Sequence, residues 1–93
     1  MALNHLTATL STTAQKVLAL PIGGGQVRCY FQNADATNDI YIGGKGVTTS
    51  GANQGLRIAK SSLPMEMTLD AGDVIYAIGS AGTPALTIIW TRN

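Results

Sequence analysis

The sequence predicts a small all-β domain: an antiparallel β-sandwich or jelly-roll-like barrel of about seven to eight short strands. Three observations predict it. Apolar residues recur with period two, as in VRCYF, where Val27, Cys29 and Phe31 alternate with Arg28 and Tyr30. Turn-forming residues close each segment at intervals of roughly 8–12 residues. No long amphipathic helix pattern and no exact internal repeat breaks the series.

Taken in order, Leu6, Ala8 and Leu10 alternate with Thr7 and Thr9, which predicts a half-buried strand or an extended arm. After Ser11-Thr12-Thr13, Val17 and Ala19 lie on one side and Leu18 and Leu20 on the other, compatible with a strand or with a helix over 13–20. Pro21 stops either element, and Gly23-Gly24-Gly25 makes a loop. Gln26 to Gln32 is a strand by its alternation and its β-branched and aromatic content. The segment from Asn33 to Asn38 is a polar turn, built from residues that hydrogen-bond their own backbone.

Asp39 to Ile42 predicts a short strand ended by Gly43-Gly44, and Lys45 to Gly55 a long loop rich in Gly, Ser, Thr and Asn. Leu56 and Ile58 flank Arg57 in a further short strand. Met65, Met67 and Leu69 alternate with Glu66 and Thr68 in the next. Asp70-Ala71-Gly72-Asp73 is a tight turn. Val74, Tyr76 and Ile78 mark a strand closed by Gly79-Ser80-Ala81-Gly82, and Ala85 to Thr91 is the last. There Leu86, Ile88 and Trp90 oppose Thr87 and Ile89, so both faces are largely apolar, and a strand covered on both faces needs a neighbour on each. Self-association is therefore expected.

Ninety-three residues make one domain. We divide it into residues 1–12, an N-terminal arm or first strand, and residues 13–93, the sandwich. Size scaling gives roughly 5,100 Å² of folded surface against about 13,900 Å² for the open chain. A lone monomer of this size is marginal. Hydrophobic residues reach 45% and charged residues only 12%, which excludes a charge-rich disordered chain. The net charge of +1 removes the electrostatic case for nucleic acid. A mean hydropathy of +0.18 with so few charges points to apolar surface covered by a partner.

Cys29 is the single cysteine, so no intrachain disulfide and no thiolate zinc cluster can form. Its alternating apolar setting marks it as a core residue. MALNHLTATL lacks a basic leader and an unbroken apolar core, so no secretory signal is expected there. No apolar run approaches the ~18 residues of a membrane span. The expectation is a cytoplasmically made, soluble chain with no membrane partner.

Catalytic chemistry has little material. His5 is the only histidine, and any serine triad would need it as the base. Asp70 and Asp73 flank a glycine turn, where aspartates make local backbone bonds more often than they bind calcium or act as a glycosidase pair. GGKGVTTS lacks the phosphate-loop pattern, because Lys45 is followed by Gly46, and GGGQVR lacks the dinucleotide-binding pattern. No catalytic residue, metal or cofactor is expected. Tyr30, Tyr41, Tyr76 and Trp90 are aromatic candidates for a sugar site, although amphipathic aromatics of this kind more often serve protein interfaces.

NADATNDIYIGGKGVTTSGANQGLRI followed by MTLDAGDVIYAIGSAGTPALTIIW resembles small β-rich virion proteins of tailed bacteriophages. The features that carry it are an N-x-(S/D) turn, a D-I-Y-I-G-G-like strand, V-T near a glycine loop, and the Gly72-Asp73 pair before Tyr76-Ala77-Ile78. They span about two-thirds of the chain, from Asn33 to Trp90. The resemblance implies a non-enzymatic structural protein. Its expected form is a capsid cement or decoration protein on the phage head surface, often trimeric, whose partner is the major capsid protein.

A cement protein must bridge neighbouring capsid subunits, and oligomerisation about a symmetry axis adds avidity to that. The arm from Ala2 to Leu10 either adds a strand to a neighbour's sheet or is the first strand of the domain itself. Candidate interface residues are Leu3, Leu6 and Leu10 in the arm, with Tyr41, Lys45, Arg57 and Trp90. Two rival functions are a tail or fibre domain binding host-surface glycans through exposed tyrosines, and a small β-fold hydrolase dependent on His5.

Overall fold

A computed structural model describes residues 3–20, 25–61 and 63–92. Eight strands form: β1 (Leu3–Thr9), β2 (Gln15–Ala19), β3 (Val27–Asn33), β4 (Ile40–Gly43), β5 (Leu56–Ile58), β6 (Met65–Leu69), β7 (Val74–Gly79) and β8 (Ala85–Arg92). All pair antiparallel. They make two four-stranded sheets, sheet A in the order β1-β8-β3-β6 and sheet B in the order β2-β7-β4-β5. This is the expected antiparallel sandwich, and its strand order is that of a jelly roll. The accessible surface, 5192 Å², is close to the value that size alone implies.

Period-two patterning fills the space between the sheets. β3 is the clearest case, with Val27, Cys29, Phe31 and Asn33 buried and the residues between them exposed. Across it, Phe31 stands beside Ile88 and Met65, and Cys29 beside Trp90 and Met67. Sheet B supplies Leu18, Ile75, Ala77, Ile40, Ile42 and Ile58 from the other side.

Two expectations are corrected, the helix over 13–20 and an exposed Leu10, and two strands show features that the pattern does not resolve. Residues 13–20 form no helix; Gln15–Ala19 is a strand with a bulge between Lys16 and Leu18. Leu18 and Leu20 share the core face, as their spacing predicts, and the extra residue at the bulge lets Lys16 stay opposite the outward Tyr76 while Leu18 turns inward opposite Ile75. In β7 the core face is Ile75 and Ala77, whereas Val74 is exposed and Tyr76 points outward. Apolar residues occupy both parities of that strand, so alternation alone does not orient it. Asn33 opens the polar turn as expected, its side chain bonding the Asp35 N–H and the Asn38 carbonyl, but it is also the last residue of β3 and is fully buried. Finally, Leu10, expected at an interface, is a core residue. The stop expected at Pro21, the loop at Gly23 and Gly24, and Ala2 of the arm lie outside the described residues.

Candidate interaction surfaces

Each sheet turns one face to the core and one outward, and the strand registers set which side chains meet on the outer faces. On sheet A one cross-strand row reads His5, Ile89, Tyr30, Glu66, and the next carries Leu3, Thr91, Arg28 and Thr68. Leu3 is 71% exposed, and Ile89 and Tyr30 are also exposed. At the β6 side the face becomes polar: Arg28 Nε lies 3.1 Å from Glu66 Oε2, to which Tyr30 Oη also donates at 3.3 Å. His5 and Glu66 sit three strands apart, about 14 Å at ordinary strand spacing. Among the described residues of this face, the carboxylate nearest in that row is therefore out of reach of His5, whereas the histidine of a serine triad is oriented by an acid bonded to it.

Sheet B presents a different outer face. Tyr41 lies directly opposite Ile78 on β7 and Arg57 on β5, while Tyr76 lies opposite Gly43 and Lys16. Tyr41 and Tyr76 are thus diagonal neighbours across the β4–β7 pair, close enough for two aromatic side chains to share one surface. Arg57 Nε is held by Asp39 Oδ2 at 3.1 Å.

The remaining carboxylates fasten loops. Asp35 Oδ2 accepts from the N–H groups of Thr37 and Asn38 at 3.1 and 2.7 Å. These two donors hold its carboxyl below the usual aspartate value. Asp39 is likewise lowered, first by the Lys60 N–H donating at 2.9 Å and then by Arg57. Asp73 Oδ2 accepts from the Asp70 N–H at 2.8 Å, closing the turn around Gly72, whose φ of 87° suits glycine.

The loop after β4 frames an open cleft of about 180 Å³, lined by Lys45, Asn53, Gln54 and four glycines. Val47 is buried beneath it, wedged where a Cβ on Gly55 would stand 2.5 Å from both the Ile42 carbonyl oxygen and Val47 Cγ2.

The candidate interface residues do not converge on one surface. Leu3 lies on the outer face of sheet A and Tyr41 with Arg57 on that of sheet B, which point in opposite directions. Lys45 is exposed in the loop beside the cleft. Leu6 is half-buried and packs against the core from the edge of sheet A, and Trp90 does the same from the end of β8. Leu10 has no surface to offer, being 1% exposed. Its N–H donates to the Pro84 carbonyl at 2.8 Å, which draws the chain inward as it leaves β1. Ile89 is not among the interface candidates, although its apolar side chain on the outer parity of β8 underlies the expected self-association, and the sequence reading does not foresee the burial of Asn33.

No family model and no curated protein matches this chain. Among solved structures, it is similar to a protein of Bacillus endospore appendages, described as a novel family of disulfide-linked pili. The TM-score is 0.62 at 18% identity, over 98% of this chain and 85% of that one. At that identity the likeness concerns the fold. The linkage named for those pili has no counterpart in the folded sandwich here. Cys29 is the chain's one cysteine, it is fully buried, and burial pushes its thiol up to about 11.

Proposed function

We propose that this chain is a non-catalytic structural protein of a bacteriophage particle, a decoration or cement subunit that binds the head surface and bridges major capsid subunits. The observation that carries the reading is how its side chains are used. All five carboxylates fasten a turn, a loop or a strand pair. The outer face of sheet A meanwhile keeps Leu3, Ile89 and Tyr30 at its surface. A bridging protein needs a rigid body and an apolar, weakly charged contact face, and both are present. The likeness to an appendage protein supports an assembling, structural role without bearing on the phage setting. The phage setting rests on the sequence resemblance alone.

The test is immunogold electron microscopy, with antibody against this chain, of particles from a culture expressing it from its native genome. Label spread over heads is the expected result. Particle fractions free of label would overturn the virion reading.

The second reading, a tail or fibre module that binds glycans, is favoured by the outward pairing of Tyr41 and Tyr76 between Lys16 and Arg57. Label confined to tails, with glycan binding lost in Tyr41→Ala, would select it.

A further inference from the structure

Each sheet ends in two edge strands, and the four edges differ in how they are guarded. β2 carries Lys16 and a bulge between Lys16 and Leu18. β5 is 3 residues long and holds Arg57. β6 contains Glu66 and follows directly on Pro64. Charge, proline, bulges and short length are the devices that stop an edge from pairing with another chain. β1 has none of them. It is 7 residues long, runs in unbroken register with β8, and contains no Lys, Arg, Asp, Glu or Pro.

Two hydrogen bonds determine which backbone groups this edge exposes. The Leu10 N–H donates to Pro84 O at 2.8 Å, continuing the β1–β8 ladder, so even-numbered residues turn their backbone groups towards β8. In agreement, the Thr9 carbonyl points away from β8 and accepts from Gln15 Nε2 at 3.2 Å. Leu3, His5, Thr7 and Thr9 therefore present N–H and C=O groups to the open edge.

We propose that β1 pairs antiparallel with β1 of a second copy of this chain, about a two-fold axis at Leu6. A second copy is the occupant because β1 is the one edge, among the described residues, that lacks every guard. An isologous contact brings that edge against itself. His5 then lies opposite Thr7 of the second copy and Leu3 opposite Thr9, giving about eight backbone hydrogen bonds along the full strand. Thr9 O keeps a lone pair for this beside Gln15. No carboxylate, ammonium or guanidinium group lies on either strand. Leu6 meets its counterpart on the inner side, covering a side chain that the monomer leaves half-buried. The two copies of sheet A become one continuous sheet, and the product is a dimer, not the trimer that the phage resemblance implies.

The test is sedimentation equilibrium of the purified protein over a concentration series, with Thr7→Pro alongside. Thr7 turns its N–H outward, so proline removes an edge donor and leaves the β8 ladder intact. The wild type is expected to reach twice the 9.6 kDa chain mass. Thr7→Pro should keep its far-UV spectrum and weaken dimerisation about tenfold or more. Thr7→Lys guards the edge without touching the backbone, and weakens it in the same direction. A wild type that stays monomeric, a stable trimer, or mass that grows without limit overturns the proposal. So does a dimer indifferent to both substitutions. The inference is independent of the virion reading, since a dimer can form whether or not particles carry the label.

Discussion

Asn33 Nδ2 donates to the Ile58 carbonyl at 3.1 Å, and this bond runs from the last residue of β3 in sheet A to the last residue of β5 in sheet B. The same nitrogen donates to Asn38 O at 2.9 Å, and Asn33 Oδ1 accepts from the Asp35 N–H at 3.0 Å. A fully buried amide is thereby satisfied on both ends. It clips the sheets together and shapes the loop that leads into β4.

Replacing Asn33 with alanine strands those three backbone partners, of which the Ile58 carbonyl is buried. The expected cost is about 3 kcal/mol. In a domain of this size that lowers Tm by roughly 15 °C, read by thermal denaturation followed by circular dichroism. A shift of only a degree or two would mean that water replaces the amide.

Gly55→Ala and Gly44→Ala should separate sharply. The first drives a methyl against the Ile42 carbonyl and Val47; the second meets nothing within 4 Å. About 2 kcal/mol of destabilisation is expected for Gly55→Ala and close to none for Gly44→Ala. Urea midpoints of the two variants check this.

The depressed carboxyls of Asp35 and Asp39 make stability fall in acid. Each gains its stabilising bonds only when ionised in the folded state. The contribution is thus complete above the unfolded value near 3.8 and is lost as pH falls through the lower folded values. Unfolding midpoints measured from pH 5 downward should decline for the wild type and decline less steeply for Asp35→Asn.

Cys29, with its thiol pushed up to about 11, should be inert to a thiol reagent such as DTNB at pH 8 and become reactive on addition of guanidinium. Reducing agent should leave the oligomeric state unchanged. Native labelling of Cys29 would show that the sandwich opens far more readily than its packing implies.

Strands were legible where one face alone is apolar. Val27, Cys29 and Phe31 alternate with polar residues, and β3 could be read with its correct core face. β7 defeated the same rule, because Val74, Tyr76 and Ile78 are as apolar as Ile75 and Ala77; neighbours, not alternation, decide which set is covered. The pairing of Leu18 with Leu20 was legible, but the bulge that puts Lys16 and Leu18 on opposite faces was not, and nothing local in QKVLA announces it. Asn33 has the composition of a turn residue, and its burial depends on carbonyls contributed 5 and 25 residues downstream. Of the interface candidates, Tyr41 reads as outward from its parity against Ile40 and Ile42, whereas Leu10, taken with the arm, is a core residue. Its contact with Pro84 links the first and last thirds of the chain, a pairing that no short window of sequence contains.

β8 is an inner strand of sheet A, hydrogen-bonded to β1 on one side and β3 on the other. Within the sandwich, the strand synthesised last is therefore the one that joins the first to the rest of its sheet. Until it leaves the ribosome, β1 has no partner and sheet A is in two pieces, so the domain cannot fold progressively during translation. Closing so long a loop makes folding slow by the standards of small proteins, on the order of milliseconds to seconds. Premature termination before Ala85 leaves no partly working product, only a chain with exposed strands for proteases to remove.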